Sequence, residues 1–405
     1  MDTFESFIIE HENDDVAKLL LKAQSFRGLD LKKAAEIIEG RRKAKSKIPE
    51  WYLNPAVIYP GSRAMEQCSS QSTARYKQRF VSPQASVLDI TGGLGVDDYF
   101  LSKVASKVTY LERNPSLCEA ARHNFAVLNT LNIDVINADY LIDSIKQGHF
   151  NLIYADPDRR QGASKRVYSI SDCSPDILAI KDELFCLSDT LLVKLSPMED
   201  ILKTLELLPE ATEVHVISVD NECRELLVLM KKGSQIKPED IPVTAVDISS
   251  KDDTVLWSES FTLREENETK LSYSYESDEY IFSPGKSLLK GGAFKLLCGR
   301  YGLRKFDSAT HIYSSNEMRD DFPGKIFRKI DLIPFSKGGM KALAEKYPQC
   351  NIVAKNLPIS TNELRNRLKI KDGGDIYVFA VKLHNSDSQI IVCKREIISS
   401  ARDIL

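Results

Sequence analysis

The residues that first invite chemistry lie in VLDITGGLGVDDYFLS, positions 87–102. A short β-rich run ends in Asp89 and passes through Thr91, Gly92, Gly93, Leu94 and Gly95 into a helix-length segment. Glycines let the backbone turn tightly and approach a ligand closely, and the helix start beyond them presents N–H groups with no intrahelical partner. The order, an acid followed by Gly-x-x-Gly, differs from the phosphate-binding G-x-G-x-x-G. A carboxylate just before the loop would repel a pyrophosphate but suits a ligand carrying an ammonium group. Glu112 closes the next β-rich run, KVTYLE, 23 residues after Asp89, where open α/β folds set an acid against both ribose hydroxyls. A third run ends in NADY, which places Asp139 to reach an adenine amino group and gives Tyr140 an apolar face to offer.

The elements that must hold these acids can be read from the pattern around them. From Ser86 onward, short β-rich runs (SVLDI, KVTYLE, IDVINA, NLIYAD, TLLVKL, EVHVIS, ELLVLM) alternate with helix-length segments. That alternation predicts βαβ units and a largely parallel sheet. Only VDNEC separates the last two runs, too short for a crossover helix, so they should pair as an antiparallel hairpin. The first 80 residues carry helical periodicity (VAKLLLKAQ, LDLKKAAEIIEGRRKAK) around an irregular middle, IPEWYLNPAVIYPG. A polar stretch, REENETKLSYSYESDE, marks a boundary near residue 270, beyond which one or two small α+β modules are expected. The fold class is thus α/β, with expected domains at 1–80 (helical), 81–270 (the sheet), 271–339 (small α+β) and 340–405.

Three acids at three successive strand ends, with one glycine loop, resemble the S-adenosylmethionine site of the class I methyltransferases over roughly residues 81–230. The resemblance implies a Rossmann-like, seven-stranded sheet with S-adenosyl-L-methionine as cofactor, held by Asp89, Thr91, Gly92, Gly93, Gly95, Glu112, Asp139 and Tyr140. DITGGLGVDDYFLS with LERNP is also similar to the small-subunit rRNA guanine-N2 methyltransferases, whose pattern is D-x-T-x-G-L-G-x-D with L-E-R-N-P. This similarity adds Arg113 and Asp97 to the cofactor set, although Asp97 reads equally as a helix-N-terminal acid favoured by the macrodipole. NLIYADPDRR places Asp156 and Pro157 at the position of the family's amino-methylating N/D-P-P-Y/F loop, which orients the target nitrogen toward the methyl group. Here Asp158 and Arg159 replace the third and fourth residues, so the stacking aromatic is missing. Arg159 and Arg160 suit a phosphate or carboxylate clamp, or stacking by a guanidinium plane. DPDRR, VKLSP and MEQCSSQSTARYKQRF together resemble a bacterial group of class I methyltransferases with a C-terminal THUMP-like domain. In that setting Asp156, Arg159, Arg160 and Lys194 are the candidate catalytic residues, with Lys194 either touching substrate phosphate or Asp156, or merely ending a strand.

The flanks bear on the partner. Residues 31–80 carry a net charge of +7 and residues 285–405 a net of +10, around an acidic middle of −16 over 81–284. Basic ends around an acidic centre suit a protein that holds a polyanion, although such charge is more often solvated surface. Gln67, Ser69, Ser70 and Thr73 either close over the cofactor or cap the next helix, whose Arg75, Tyr76, Lys77 and Arg79 are candidate nucleic-acid contacts. The segment from 340 on resembles a THUMP-like domain, an RNA-binding module of tRNA-modifying enzymes, which implies tRNA or rRNA as partner through Arg365, Arg367, Lys369 and Lys371. Eight scattered cysteines and six histidines show no metal-ligand spacing, so no metal is expected, and Cys173 lacks the context of a pyrimidine-methylating nucleophile. No run of about 18 apolar residues is present for a membrane, and the acidic N-terminus does not read as an export signal, which leaves the cytoplasm as the expected compartment. The reading is a methyltransferase acting on RNA. A small-molecule or protein methyltransferase, or an RNA-binding protein that keeps the cofactor without catalysis, stands as the alternative.

Overall fold

A computed structural model describes residues 3–21, 26, 28–139, 145, 148–159, 170–384 and 388–397. The chain divides into two compact units: Met1–Asp220 with Arg224–Ile241 and Ile248–Leu256, and Asn221–Cys223 with Pro242–Asp247 and Trp257–Leu405. The first contains the strands β1 (Ser86–Asp89), β2 (Lys107–Glu112), β3 (Ile133–Asn137), β4 (Leu152–Ala155), the short β5 (Asp158–Arg159) and β6 (Cys173–Ser174), β7 (Thr190–Leu195), β8 (Ala211–Val219) and β9 (Glu222–Lys231). Seven of these follow the order β8-β9-β7-β4-β1-β2-β3.

β1 lies between β2 and β4, parallel to both, with Asp89 opposite Tyr110 on one side and Tyr154 on the other. β4 pairs parallel with β7, and β7 antiparallel with β9. The carboxyl ends of β1, β2, β3, β4 and β7 therefore gather on one edge, where α/β sheets bind ligands. All four residues of β4 are buried, as a central strand covered on both faces requires. The β8–β9 turn carries Asp220 and Asn221 at φ 51° and 62°, the left-handed pair a tight hairpin demands and short polar side chains tolerate.

The helical segment ahead of the sheet shares the sheet's core rather than standing apart. Trp51 and Tyr59 are buried in one apolar cluster with Tyr99, Phe100, Tyr110 and Phe125. The irregular stretch is pinned to helix Pro115–Val127 by Asn124, which accepts from Ile58 N–H at 2.9 Å and donates to Ile58 C=O at 2.8 Å. Such a reciprocal pair gives a loop what a neighbouring strand would give it.

In the second unit, β10 (Val243–Ile248) and β11 (Val255–Phe261) are followed by β12 (Tyr280–Pro284), β13 (Arg304–Asp307), β14 (Thr310–Ser315), β15 (Gly324–Pro334), β16 (Asn351–Lys355), β17 (Ile376–Lys382) and β18 (Ser388–Arg395). The last seven form one sheet in the order β13-β14-β12-β15-β18-β17-β16. Helices Lys337–Lys346 and Thr361–Leu368 set Leu343 and Leu364 into a core with Val378, Ile390 and Val392. No helix among the described residues is long and apolar enough to cross a membrane.

Candidate functional site

The glycine loop is shaped by what lies behind it. A Cβ on Gly92 would fall 2.3 Å from the buried Tyr110 ring, so only glycine lets the loop lie against β2. Gly93 and Gly95 stand at φ +57° and +82°, where an L side chain is strained. Tyr110 Oη donates to Gly93 C=O at 2.6 Å, and the Glu112 carboxylate accepts Gly93 N–H at 3.0 Å and Asn114 N–H at 2.7 Å. Asp89 Oδ1 accepts both Thr91 N–H, at 2.7 Å, and Thr91 Oγ1, at 2.9 Å. Thr91 Oγ1 in turn accepts the Asp156 N–H at 2.7 Å, which joins the loop after β1 to the loop after β4.

These loops surround a cleft of about 700 Å³. Its lining includes Asp89, Thr91, Gly92, Gly93, Gly95, Asp97, Glu112, Arg113, Asp139 and Asp156. Burial pushes the Asp89 carboxyl up to about 7, with Asp97 and Asp156 adding to the shift. Beneath the cleft a buried charge cluster ties four elements together. Lys77, fully buried, reaches Asp97 at 3.0 Å and Glu225 at 2.9 Å. Ser69 Oγ and Tyr154 Oη donate to Asp97 Oδ2 at 2.7 and 2.9 Å. Burial alone would raise Asp97, but Lys77 and Lys194 hold it below the ordinary carboxylate range. Lys194 pairs with Asp156. Burial works to lower its ammonium, and Asp156, Glu225 and Asp97 together outweigh that and raise it.

The whole chain has a close structural counterpart. A crystal structure described as a "putative methyltransferase from Porphyromonas gingivalis W83" matches with TM-score 0.88 and 33% identity, over 97% of this chain and 98% of that one. The chain belongs to that methyltransferase family. Residues 280–323 match a ferredoxin-like domain and residues 324–395 a THUMP domain-like family. The methyltransferase also overlaps in part with a Streptococcus mutans methyltransferase solved with SAH (17% identity, 39% of this chain and 94% of that one, TM-score 0.29). A similar overlap joins it to the M. jannaschii tRNA m1G37 methyltransferase (15% identity, 44% and 52%, TM-score 0.29). No curated protein sequence matches.

Of the candidate cofactor-binding and catalytic residues, ten line one cleft. Lys194 sits behind Asp156 rather than on the wall, and its partner is the carboxylate. Pro157 is buried below Asp156. Tyr140, Arg160 and the side chain of Arg159 lie outside the described residues. Gln67 and Ser69 line the cleft, and Gln67 Nε2 donates to Asp158 Oδ1 at 3.2 Å, whereas Ser70 caps helix Gln71–Lys77.

That helix corrects one expectation. Its basic residues do not form a face for nucleic acid: Lys77 is buried in ion pairs, Tyr76 is buried against His215 at 2.8 Å, and Arg75 is held by Glu50 and Asp253 at 2.6 and 3.0 Å. Burial pushes the Cys173 thiol up to about 11, too high for a thiolate nucleophile at neutral pH. Sequence reasoning missed Pro60, Gly61 and Arg63, which come to the cleft from the irregular N-terminal stretch, and Ser174 and Pro175, carried there by β6 pairing with β5. No local pattern marks a residue whose role depends on a contact a hundred positions away.

Proposed function

We propose that the protein transfers a methyl group from S-adenosyl-L-methionine to RNA, with the cofactor in the cleft above the carboxyl ends of β1, β2 and β3. The observation that carries the reading is the gathering of the glycine loop, Glu112, Asp139 and Asp156 around a single cleft. The donor set fits the cofactor. Each Glu112 oxygen holds one backbone N–H and keeps lone-pair capacity for a ribose hydroxyl, while Asp89 supplies a carboxylate for an ammonium. A volume of about 700 Å³ lies within the range of small-molecule sites.

Bound there, S-adenosyl-L-methionine would supply an electrophilic methyl carbon. Asp156 would accept a hydrogen bond from the attacking group and aim its lone pair, with its backbone N–H fixed by Thr91 and its carboxylate by Lys194. Held at its backbone by Thr91 and at its side chain by Lys194, the group is fixed in direction, so orientation of the attacking group is the role this geometry favours. Arg159 and Arg160, three and four residues further along the chain, would hold a substrate phosphate. RNA as substrate rests on the THUMP-like match at 324–395 and on exposed cations such as Arg367, Lys369 and Lys371.

The test is methyl transfer from labelled cofactor to RNA from a strain lacking the protein, with modified nucleosides read by mass spectrometry. Asp156→Ala should reduce transfer by at least about a hundredfold and leave cofactor affinity within a few fold. Equal losses in both would move Asp156 into the cofactor site. Label entering only small molecules or protein would overturn RNA as the substrate.

A further inference from the structure

Asp98 is a buried carboxylate that the reading above does not use. It sits in the first turn of helix Val96–Ser102, its side chain has no solvent exposure, and apart from its own backbone N–H no donor among the described residues reaches either of its oxygens. Its neighbour is another carboxylate, Asp89, itself 1% exposed. An ionised group so placed would lack both water and a counter-charge, a cost of several kcal/mol even after relaxation (about that size for a buried ion). The same atoms carry no penalty if the group is neutral, because a carboxylic acid is a hydrogen-bond donor and Asp89 is an acceptor within reach.

We propose that Asp98 is a positioning residue: held as a neutral carboxylic acid, it donates its proton to Asp89 and so fixes that carboxylate for the cationic end of the cofactor. Asp89 Oδ1 is taken by both donors of Thr91, which leaves Oδ2 to the proton of Asp98 and to the ligand. The surroundings favour this state. Facing the pair are Asp97 from the same helix, Tyr110 from β2, and Tyr154 and Asp156 from β4 and its end; beyond Asp97 and Asp156 stand Lys77, Lys194 and Glu225. Lys77 and Lys194 are committed to Asp97, Glu225 and Asp156, so neither is left to compensate a charge on Asp98. Burial, with Asp89 and Asp97 close by, pushes the Asp98 carboxyl well above the ordinary range. Asp98 would thus work like a fixed amide donor, locking Asp89 in one rotamer before the ligand arrives.

This role rests on the cofactor reading, and the test separates the two. Asp98→Asn keeps the shape and the donor and removes the ionisable proton, so calorimetry should give an affinity for S-adenosylmethionine within about threefold of the parent. Asp98→Ala removes the donor and should weaken binding about tenfold, the scale of one hydrogen bond to a charged group. Infrared difference spectra of the unliganded protein at pH 8 should show a protonated-carboxyl C=O band that Asp98→Asn lacks. No such band in the parent would overturn the proposal whether or not either variant folds. An Asp98→Asn protein that is folded but binds more than tenfold more weakly would overturn it as well, by showing that the carboxylate charge matters. If the parent itself does not bind S-adenosylmethionine, the cofactor reading fails, and the infrared band still decides the state of Asp98.

Discussion

Individual cations in the two basic stretches of this chain meet different surroundings. In residues 31–80, net charge +7, two cations turn inward while Lys32, Lys33, Lys45, Arg63 and Arg79 stay exposed: Lys77 has no exposure, and Arg41, 4% exposed, is paired with Glu12 at 3.3 Å and donates to the carbonyls of Tyr52 and Asn54. In residues 285–405, net charge +10, a group of cations near the C-terminal end of the described residues faces outward, with Arg367, Lys369, Lys371, Lys382, Lys394 and Arg395 all exposed. Others in the stretch are not: Arg365 is half-buried and tied to Asp372 at 2.8 Å, and Lys305 is buried. Similar charge counts thus serve different ends. Lys77 and Arg41 in the first stretch are tied to buried carboxylates, whereas the exposed cations named in the second stand at the surface. The difference lies in where the counter-charges fall in the fold, which a running sum along the sequence does not record.

The sharpest way to break this contrast is to remove one cation from each side. Lys77→Met leaves Asp97 and Glu225 buried without their shared partner, and removing one member of a buried ion pair typically costs about 3–5 kcal/mol. Arg367→Ala or Lys369→Ala should change stability by less than about 0.5 kcal/mol, as for exposed residues away from special features. Urea unfolding measures both. Equal midpoints for Lys77→Met and Arg367→Ala would show that the buried cluster contributes nothing the surface does not.

The next effect belongs to the cleft itself. Glu112→Ala removes the acceptor that holds Gly93 N–H and Asn114 N–H, and would also remove the ribose contact, so cofactor affinity should fall about tenfold or more. Gly93→Val acts differently. An added Cβ would meet only the Thr91 carbonyl oxygen, at 3.6 Å, so its effect comes from a β-branched residue at φ +57° rather than from a clash. Undiminished binding by calorimetry in both variants would remove the cofactor from this loop.

The two regions also differ in how legible they were. The strand-end acids were readable because β-strands fix spacing: with Asp89 and Glu112 ending parallel strands and Asp139 two residues beyond a third, the topology alone brings them to one edge. The hairpin after β8 was equally readable, since the length of the connection decides between antiparallel and crossover pairing. The fate of Lys77 was not. Helical periodicity places Arg75, Lys77 and Arg79 near one another but cannot say that Glu225, 148 residues later, returns beneath them. Asp98 shows the same limit: beside Asp97 it reads as a second helix-N-terminal acid, and only the packing of Asp89 and Tyr110 around it reveals a carboxyl without a donor beyond its own backbone N–H.

The smallest expected effect tests the outward-facing side. If exposed cations of residues 285–405 neutralise RNA phosphates, binding should fall linearly in log–log form with salt, at roughly 0.7–0.9 of a unit of slope per phosphate. The sequence places Arg365, Arg367 and Lys369 side by side, but the fold separates their contributions. Arg365 is already paired with Asp372, and Lys369 ends its helix at φ 55° with an exposed side chain. Changing Arg367 and Lys369 together to Ala should therefore flatten the slope by between about one and two units, while adding Arg365→Ala changes it little further, because Asp372 already neutralises that cation. Cofactor affinity should be unaffected in all of these, since none of the three lines the cleft. Filter binding against tRNA and rRNA fragments at several ionic strengths measures the slopes. A slope unchanged by Arg367 and Lys369 would mean that these cations are solvated surface, and the contrast between the two basic stretches would reduce to burial alone, with no polyanion to account for the second.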